Sequence, residues 1–286
     1  MIRPALDAAS LRPVLLAPAG PLAALDVVAE TASTQADLVE RARSGRADPA
    51  VLVAERQTAG RGRAGRSWEA PARSALTVSF LLRPHVPSAA LGWLPLLAGL
   101  AVVRTLGPGG VPARLKWPND VLLPGGSDVD GYGRYRKVAG VLAEVVPDGG
   151  EVPAVVLGVG LNVDQEPGEL PVPTATSLRL VGGAGMDRSE LLVALTGELL
   201  STLAQWEAAD GDAVEAGLAG EYAEVSATLG STVRVELAGG SGVVVGEALR
   251  VADDGALVVG TPDGERHVSA GDVHHVRRRD PGVPAR

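Results

Sequence analysis

Apolar positions along the chain fall into two kinds of pattern. Residues 25–28, 51–54, 76–82, 138–146 and 155–163 form short runs, rich in Val and Leu, that alternate or stay continuously apolar; both predict strands. Residues 91–106 predict a buried helix, 191–206 an amphipathic helix, and 213–222 a second one. A further helix over 36–43 has Ser33 or Thr34 placed to cap it. Residues 1–24 are rich in Pro and Ala and are expected to lie along the surface. After Leu229 the texture changes. Residues 232–237 alternate strictly, and 243–251, 257–260, 266–268 and 273–276 follow at short intervals between Gly/Asp turns. Five such strands predict a small barrel. The expected organisation is a surface segment 1–24, a main domain 25–228 and a small domain 229–286. Residues 125–135, rich in Gly and Asp, are expected to form a mobile loop.

Composition narrows the function classes. A chain of 286 residues suits one large domain, or one plus a small one. Only 3% is aromatic, so a core must be built from Val, Leu and Ala. With no cysteine, disulfides, thiolate metal sites and cysteine nucleophiles are excluded. His85, His267, His274 and His275 lack metal-ligand spacing, and the adjacent pair would face opposite sides of a strand, reading as surface histidines. A net charge of −8 argues against a general nucleic-acid binder. No signal-peptide pattern stands near the N-terminus, and the 91–106 stretch, crossed by Pro95 and Arg104, falls short of a membrane span. A soluble cytoplasmic protein is expected.

Candidate chemistry concentrates in two places. In Gln57-Thr58-Ala59-Gly60-Arg61-Gly62-Arg63-Ala64-Gly65-Arg66-Ser67-Trp68, glycines alternate with arginines. Glycine lets a backbone approach a ligand closely, and guanidinium forks suit carboxylate or phosphate oxygens. The loop reads either as a closure over a small anion or as a solvated basic loop. Of 26 basic residues only Lys116 and Lys137 are lysine, and both sit in compact motifs, Lys116-Trp117-Pro118-Asn119-Asp120 and Lys137-Val138-Ala139-Gly140. Gly60, Gly62 and Gly65 match a dinucleotide fingerprint formally. However, Pro71 and a predicted strand follow where that fingerprint needs a helix. No Walker A sequence occurs.

Together with Ser33-Thr34 and Gly158-Val159-Gly160-Leu161-Asn162, these motifs resemble the biotin–protein ligases from Thr31 to about Val276. The resemblance implies an α/β (α+β) catalytic domain of the biotin/lipoate ligase type, followed by a small SH3-like β-barrel. It implies activation of biotin by ATP, with Mg²⁺, to biotinyl-5′-AMP. Transfer to one lysine of the biotin carboxyl carrier domain of an acyl-CoA or pyruvate carboxylase follows.

Residue by residue, the resemblance gives Ser33, Thr34 and Gln57 to the ureido ring, with helix capping the alternative for the first two. Arg61 and Arg63, within the stretch from Gly60 and Gly62 to Arg66, go to the biotin carboxylate and the phosphates, on a loop disordered until ligand binds. Lys137 stands at the reacting carboxylate and α-phosphate, with Lys116 and Gly140 in the same ligand-binding set. Trp68 and Trp117 wall the adenine, with core packing the alternative for Trp117. Asn119 and Asn162 contact nucleotide or phosphate, and Asp120 orients the acceptor amine. The expected assembly is a monomer or weak homodimer, with no DNA or membrane partner, since no winged helix-turn-helix segment precedes the catalytic motifs. Two features depart from the family: Gln35 stands where asparagine is usual, and an insertion separates Asp120 from Lys137. A lipoate ligase on the related fold, or a non-catalytic RNA- or protein-binding module, are the other readings.

Overall fold

A computed structural model describes residues 3–44, 50–147, 150, 152–183 and 186–275. In chain order it comprises α1 (Ala8–Leu15), β1 (Ala24–Val28), α2 (Thr34–Arg43), β2 (Ala50–Ala54), β3 (Ala75–Leu82), α3 (Leu94–Leu106), β4 (Arg114–Lys116), β5 (Asp120–Val129), β6 (Gly133–Val146) and β7 (Ala154–Asn162). Then follow α4 (Arg188–Glu207), α5 (Leu218–Val225), β8 (Thr232–Leu237), β9 (Val243–Val251), β10 (Leu257–Thr261), β11 (Gly264–Val268) and β12 (Gly271–His275). The first seven strands form one mixed sheet in the order β1-β2-β3-β7-β6-β5-β4, with only β1 and β2 parallel. The last five form an antiparallel sheet in the order β11-β10-β9-β8-β12, the strand content of the expected small barrel.

Strand alternation sorts the large sheet into two unlike faces. Leu76, Val78 and Phe80 on β3, with Leu157, Val159 and Leu161 on β7, join the buried residues of α3 and α4 in the main core. On the other face Leu52, Leu81 and Val156 pack beneath Leu38, Val39 and Ala42 of α2, which covers only one end. The rest of that face carries small residues: Thr77, Ser79, Gly158 and Gly160. The helical stretch Ser88–Gly109, which includes α3, is long and apolar enough to cross a membrane by length and composition, but 67% of it is buried inside the protein.

The small sheet docks through hydrogen bonds as well as apolar contact. The indole N–H of Trp93 donates to Ala252 O and that of Trp117 to Gly255 O, each at 3.0 Å, so two buried tryptophans hold the β9–β10 turn. Edge strand β4 is covered by the segment after α5: Ala227 N donates to Leu115 O, and Trp117 N to Thr228 Oγ1.

Three expectations need correction. Residues 3–24 do not simply lie along the surface. They contain α1, capped by Asp7, and bury Leu6, Leu11, Leu15 and Leu22 in the main core; Pro13 inside the helix masks its pattern in the sequence. Residues 125–135 are not an unstructured loop but the far half of a β-hairpin, β5–β6. His275 is not a surface histidine: burial and the neighbouring Lys116 push it down to about 4, and its ring meets Thr228 Oγ1. Val276 and the tail lie outside the described residues.

The N-terminal segment is locked by a buried ion pair. Arg188 Nη1 donates to Glu55 Oε2 at 2.6 Å and Nη2 to Pro4 O at 2.7 Å, with both side chains of the pair only 7% exposed. Removing one member strands a buried charge. Arg188→Met should therefore cost about 3–5 kcal/mol in urea unfolding, and adding Glu55→Leu should recover much of it. A single variant as stable as the parent would show that the pair is not what holds the segment.

Candidate functional site

One cross-strand row builds the floor of the main cavity. Register aligns Thr77 with Gly160, Gly160 with Gly140, and Gly140 with Asp120, so these four residues run straight across β3, β7, β6 and β5. The two glycines leave bare backbone, and the Trp68 indole lies on it. A Cβ on Gly160 would stand 2.3 Å from Trp68 Cε2, and one on Gly140 2.9 Å from Lys137 Nζ. Lys137 and Gly140 are three apart and would face opposite ways in a regular strand. The β5–β6 register slips between Val121 and Leu122, leaving Val138 as an extra residue; this bulge turns Lys137 back to the Gly140 side.

The Gly/Arg segment folds over this floor as a small hairpin. Gly62 N donates to Arg66 O and Trp68 N to Gly60 O, and the tip passes through left-handed Ala64 and Gly65. Arg63 reaches Asn119 Oδ1 at 3.1 Å; burial opposes its charge, with Asp272 and Asp120 acting in its favour. Arg66 pairs with Asp272 on β12, which ties the hairpin to the small sheet. Asp272, Val273 and His274 complete the wall of the cavity, which is partly open to solvent.

Charge inside the cavity is balanced by few groups. Lys137 Nζ sits 2.6 Å from Asp120 Oδ1 and 5.9 Å from the Trp68 ring centre. Burial works against the Asp120 charge, but Lys137 and Lys116 hold its carboxyl below the usual range. Burial pushes the Lys116 ammonium down, and Asp120 offsets part of that. At the opposite end the groups are neutral. Thr34 N and Oγ1 both donate to Gln57 Oε1, and Thr34 Oγ1 lies 2.8 Å from Ser79 Oγ. Ser33 caps α2 by accepting from Ala36 N, and it also borders the cavity. Between the two ends, the buried Trp68 Nε1–H finds no partner among the described residues.

Comparison with known proteins places this arrangement in a family. Residues 27–162 match the Biotin/lipoate A/B protein ligase family, and residues 228–276 match the Biotin protein ligase C terminal domain. Over 282 residues the chain is 47% identical to the biotin–[acetyl-CoA-carboxylase] ligase of Mycobacterium tuberculosis, covering 96% of this chain and 98% of that one. The chain belongs to the biotin/lipoate A/B protein ligase family. It is also 34% identical to the biotin–[acetyl-CoA-carboxylase] ligase of Paracoccus denitrificans over 257 residues, 86% of this chain and 98% of the relative. Among solved structures, a biotin protein ligase from Aquifex aeolicus in complex with biotin and ATP aligns with a TM-score of 0.71. Sequence identity there is 30%, covering 89% of this chain and 99% of that one.

The structure brings nearly all the residues singled out by the family resemblance into one cavity. Ser33, Thr34, Gln57, Arg61, Gly62, Arg63, Arg66, Trp68, Lys116, Asn119, Asp120, Lys137 and Gly140 line it. Gly60 and Asn162 do not. Gly60 lets the hairpin close, since a Cβ there would stand 2.3 Å from Trp68 O. Asn162 spends its amide on Thr176 O and Gln165 Nε2, bracing the segment whose Thr174 O and Thr176 N bond the Lys137 backbone. Trp117 borders the cavity, is 1% exposed and donates to Gly255 O, contacts that fit the packing alternative. Gln35 lines the cavity while donating to Val156 O and accepting from Ser79 Oγ.

Sequence reasoning missed Thr77, Ser79, Tyr132 and Asp272. The hydroxyls at 77 and 79 interrupt an apolar strand at period two, a signal that was legible; Asp272 carried none. The indole on the glycine floor can be tested directly. Gly160→Ala should lift Trp68, red-shifting tryptophan emission and increasing acrylamide quenching, because Trp93, Trp117 and Trp206 are at most 1% exposed and contribute no such change. An unaltered spectrum would mean that the ring does not rest there.

Proposed function

We propose that this protein joins biotin to ATP, giving biotinyl-5′-AMP and pyrophosphate, and then transfers the biotinyl group to one lysine of a carboxyl-carrier domain. The observation that carries this reading is the polarity of the cavity. Neutral amide and hydroxyl groups sit at one end and Lys116, Lys137 and Arg63 at the other, with the Trp68 indole between. Biotin has the same order: a neutral ureido ring, an apolar thioether body and a carboxylate. Thr34, Gln57 and Ser79 offer donors and acceptors to the ureido group, and the free Trp68 N–H remains for a ligand acceptor.

In the first step a biotin carboxylate oxygen attacks the α-phosphorus, and the bond to pyrophosphate breaks. Negative charge grows on the phosphoryl oxygens, where Lys137 and Arg63 act as preorganised cations. In the second step the acceptor amine attacks the mixed-anhydride carbonyl, and the C–O bond to AMP breaks. The amine proton passes to Asp120 and on to water. The Arg61–Arg66 hairpin keeps water and stray amines from the reactive anhydride.

Mg²⁺ is expected with ATP. Asp120 and Asp272, the carboxylates that line the cavity, are taken up by Lys137 and Arg66, so the substrate phosphates would hold the ion. When bound it neutralises phosphate charge. Among the described residues no cluster of three or more His, Asp or Glu forms a metal cage of protein groups alone.

The 47%-identical relative is named for acetyl-CoA carboxylase, and a biotin carrier domain of that enzyme is the acceptor proposed here. In this reading residues 25–228 perform the chemistry and the C-terminal sheet closes the site, in a cytoplasmic monomer or weak homodimer. A lipoyl group has no ureido donors or acceptor to offer the Thr34–Gln57–Ser79 end and would forgo the hydrogen bonds that select biotin there. Wild-type protein should therefore release pyrophosphate with biotin and not with lipoate. Lys137→Ala should lower biotin-dependent release by roughly 10²–10³-fold while the protein remains folded by circular dichroism. Near-normal release by the variant, or equal release with lipoate, would overturn the assignment.

A further inference from the structure

The β5–β6 hairpin reaches the small sheet and returns a side chain to its own root. Regular pairing stops between Pro124 and Val129, and the tip bends through Gly131, which adopts a left-handed φ of 72°. There His275 N of β12 donates to Gly131 O at 3.3 Å. Strand β12 is an edge of the small sheet, so the hairpin tip covers part of its free side. The approach is close: a Cβ on Gly131 would stand 2.7 Å from His274 Nδ1.

This attachment sends the next residue, Tyr132, into the cavity. Its ring centre lies 4.4 Å from Lys116 Nζ, and its hydroxyl donates to Asp120 Oδ2 at 3.3 Å. Burial and the Asp120 carboxylate keep the phenol protonated, so it acts as a donor. Asp120 thus has Lys137 on one oxygen and Tyr132 on the other. Ligand anions compete with Asp120 for Lys137. Once they draw that ammonium away, Tyr132 is the group still bonded to the carboxylate, with Lys116 held beside it under the ring.

We infer that Tyr132 is a positioning residue for the transfer step, set in place by the attachment of the hairpin tip to the edge of the small sheet, and that it keeps Asp120 oriented toward the acceptor amine. This rests on the ligase reading above. It assigns the insertion between Asp120 and Lys137 a part in the chemistry of this chain.

The test separates the two half-reactions. Tyr132→Phe keeps the ring over Lys116 and removes only the hydroxyl. Biotin-dependent pyrophosphate release should stay nearly unchanged. Single-turnover transfer from preformed biotinyl-5′-AMP to a carrier domain should fall about tenfold, the scale of a lost hydrogen bond to a charged group. Of the groups acting on Asp120, Lys137, Lys116, Arg63 and Tyr132, only the phenol is altered. The carboxylate loses a donor, its pKa rises, and the acid limb of the transfer rate should move to higher pH. Gly131→Ala, outside the cavity, should shift transfer in the same direction by displacing the tip. Unchanged transfer by the Phe variant, or equal loss in both half-reactions with an unmoved pH profile, would overturn the assignment. A wild-type protein that forms no biotinyl-5′-AMP would overturn the ligase reading and this assignment with it.

Discussion

The cavity depends on a strip of sheet that carries no side chains. Glycine inside a strand weakens it, because it loses more entropy on folding and packs nothing. Gly160 and Gly140 stand side by side on neighbouring strands, so that cost falls at one spot. It is offset by the opposite face, where Leu76, Val78, Phe80, Leu157, Val159 and Leu161 are sealed under α3 and α4. Stability is concentrated on one face and space is kept on the other. With the backbone bare, the Trp68 indole can lie against it, and Trp68 in turn anchors the base of the arginine hairpin through Gly60 O.

Electrostatics follows from the same geometry. Two lysines and Arg63 share a partly buried space with Asp120 and Asp272. Burial opposes the charge on Lys116 and Arg63, so the cavity is poised for added negative charge. Carboxylate and phosphate oxygens would supply it. The preference for lysine at two positions in a chain otherwise rich in arginine also fits. An ammonium is compact enough to lie against Gly140 or beneath the Tyr132 ring, where a guanidinium fork would need more room.

The small sheet is part of the site and not an appendage. Its β9–β10 turn is fastened by the indoles of Trp93 and Trp117, and its edge strand β12 meets both the arginine hairpin, through Asp272, and the β5–β6 tip, through His275. Two flexible-looking segments of the sequence thus converge on one strand from either side of the cavity. Neither segment is rich in apolar residues. Their order comes from backbone pairing and ion pairs made across long sequence separations.

Local pattern was enough to determine the strands at 51–54, 76–82 and 155–163, the buried helix after Trp93, and the change to a five-stranded unit near residue 229, because burial on one or both faces imposes a period that each short segment carries by itself. The motifs around Ser33, Gln57, Lys116 and Lys137 were legible for a similar reason: the chemistry needs particular side chains at fixed local spacing. Tertiary structure alone decided how these motifs face one another. The bulge at Val138 turns Lys137 toward Gly140, and one extra residue in a ladder leaves no mark in the composition. Pro13 hid a helix that survives because Leu11 and Leu15 are buried by the rest of the fold. Asn162, read as a nucleotide or phosphate contact, lies outside the cavity lining with its amide on Thr176 and Gln165. Tyr132 lay in what looked like a mobile loop, and its placement depends on Gly131 meeting His275, more than 140 residues away in the chain. Such contacts arise from register and docking, which no local window of sequence contains.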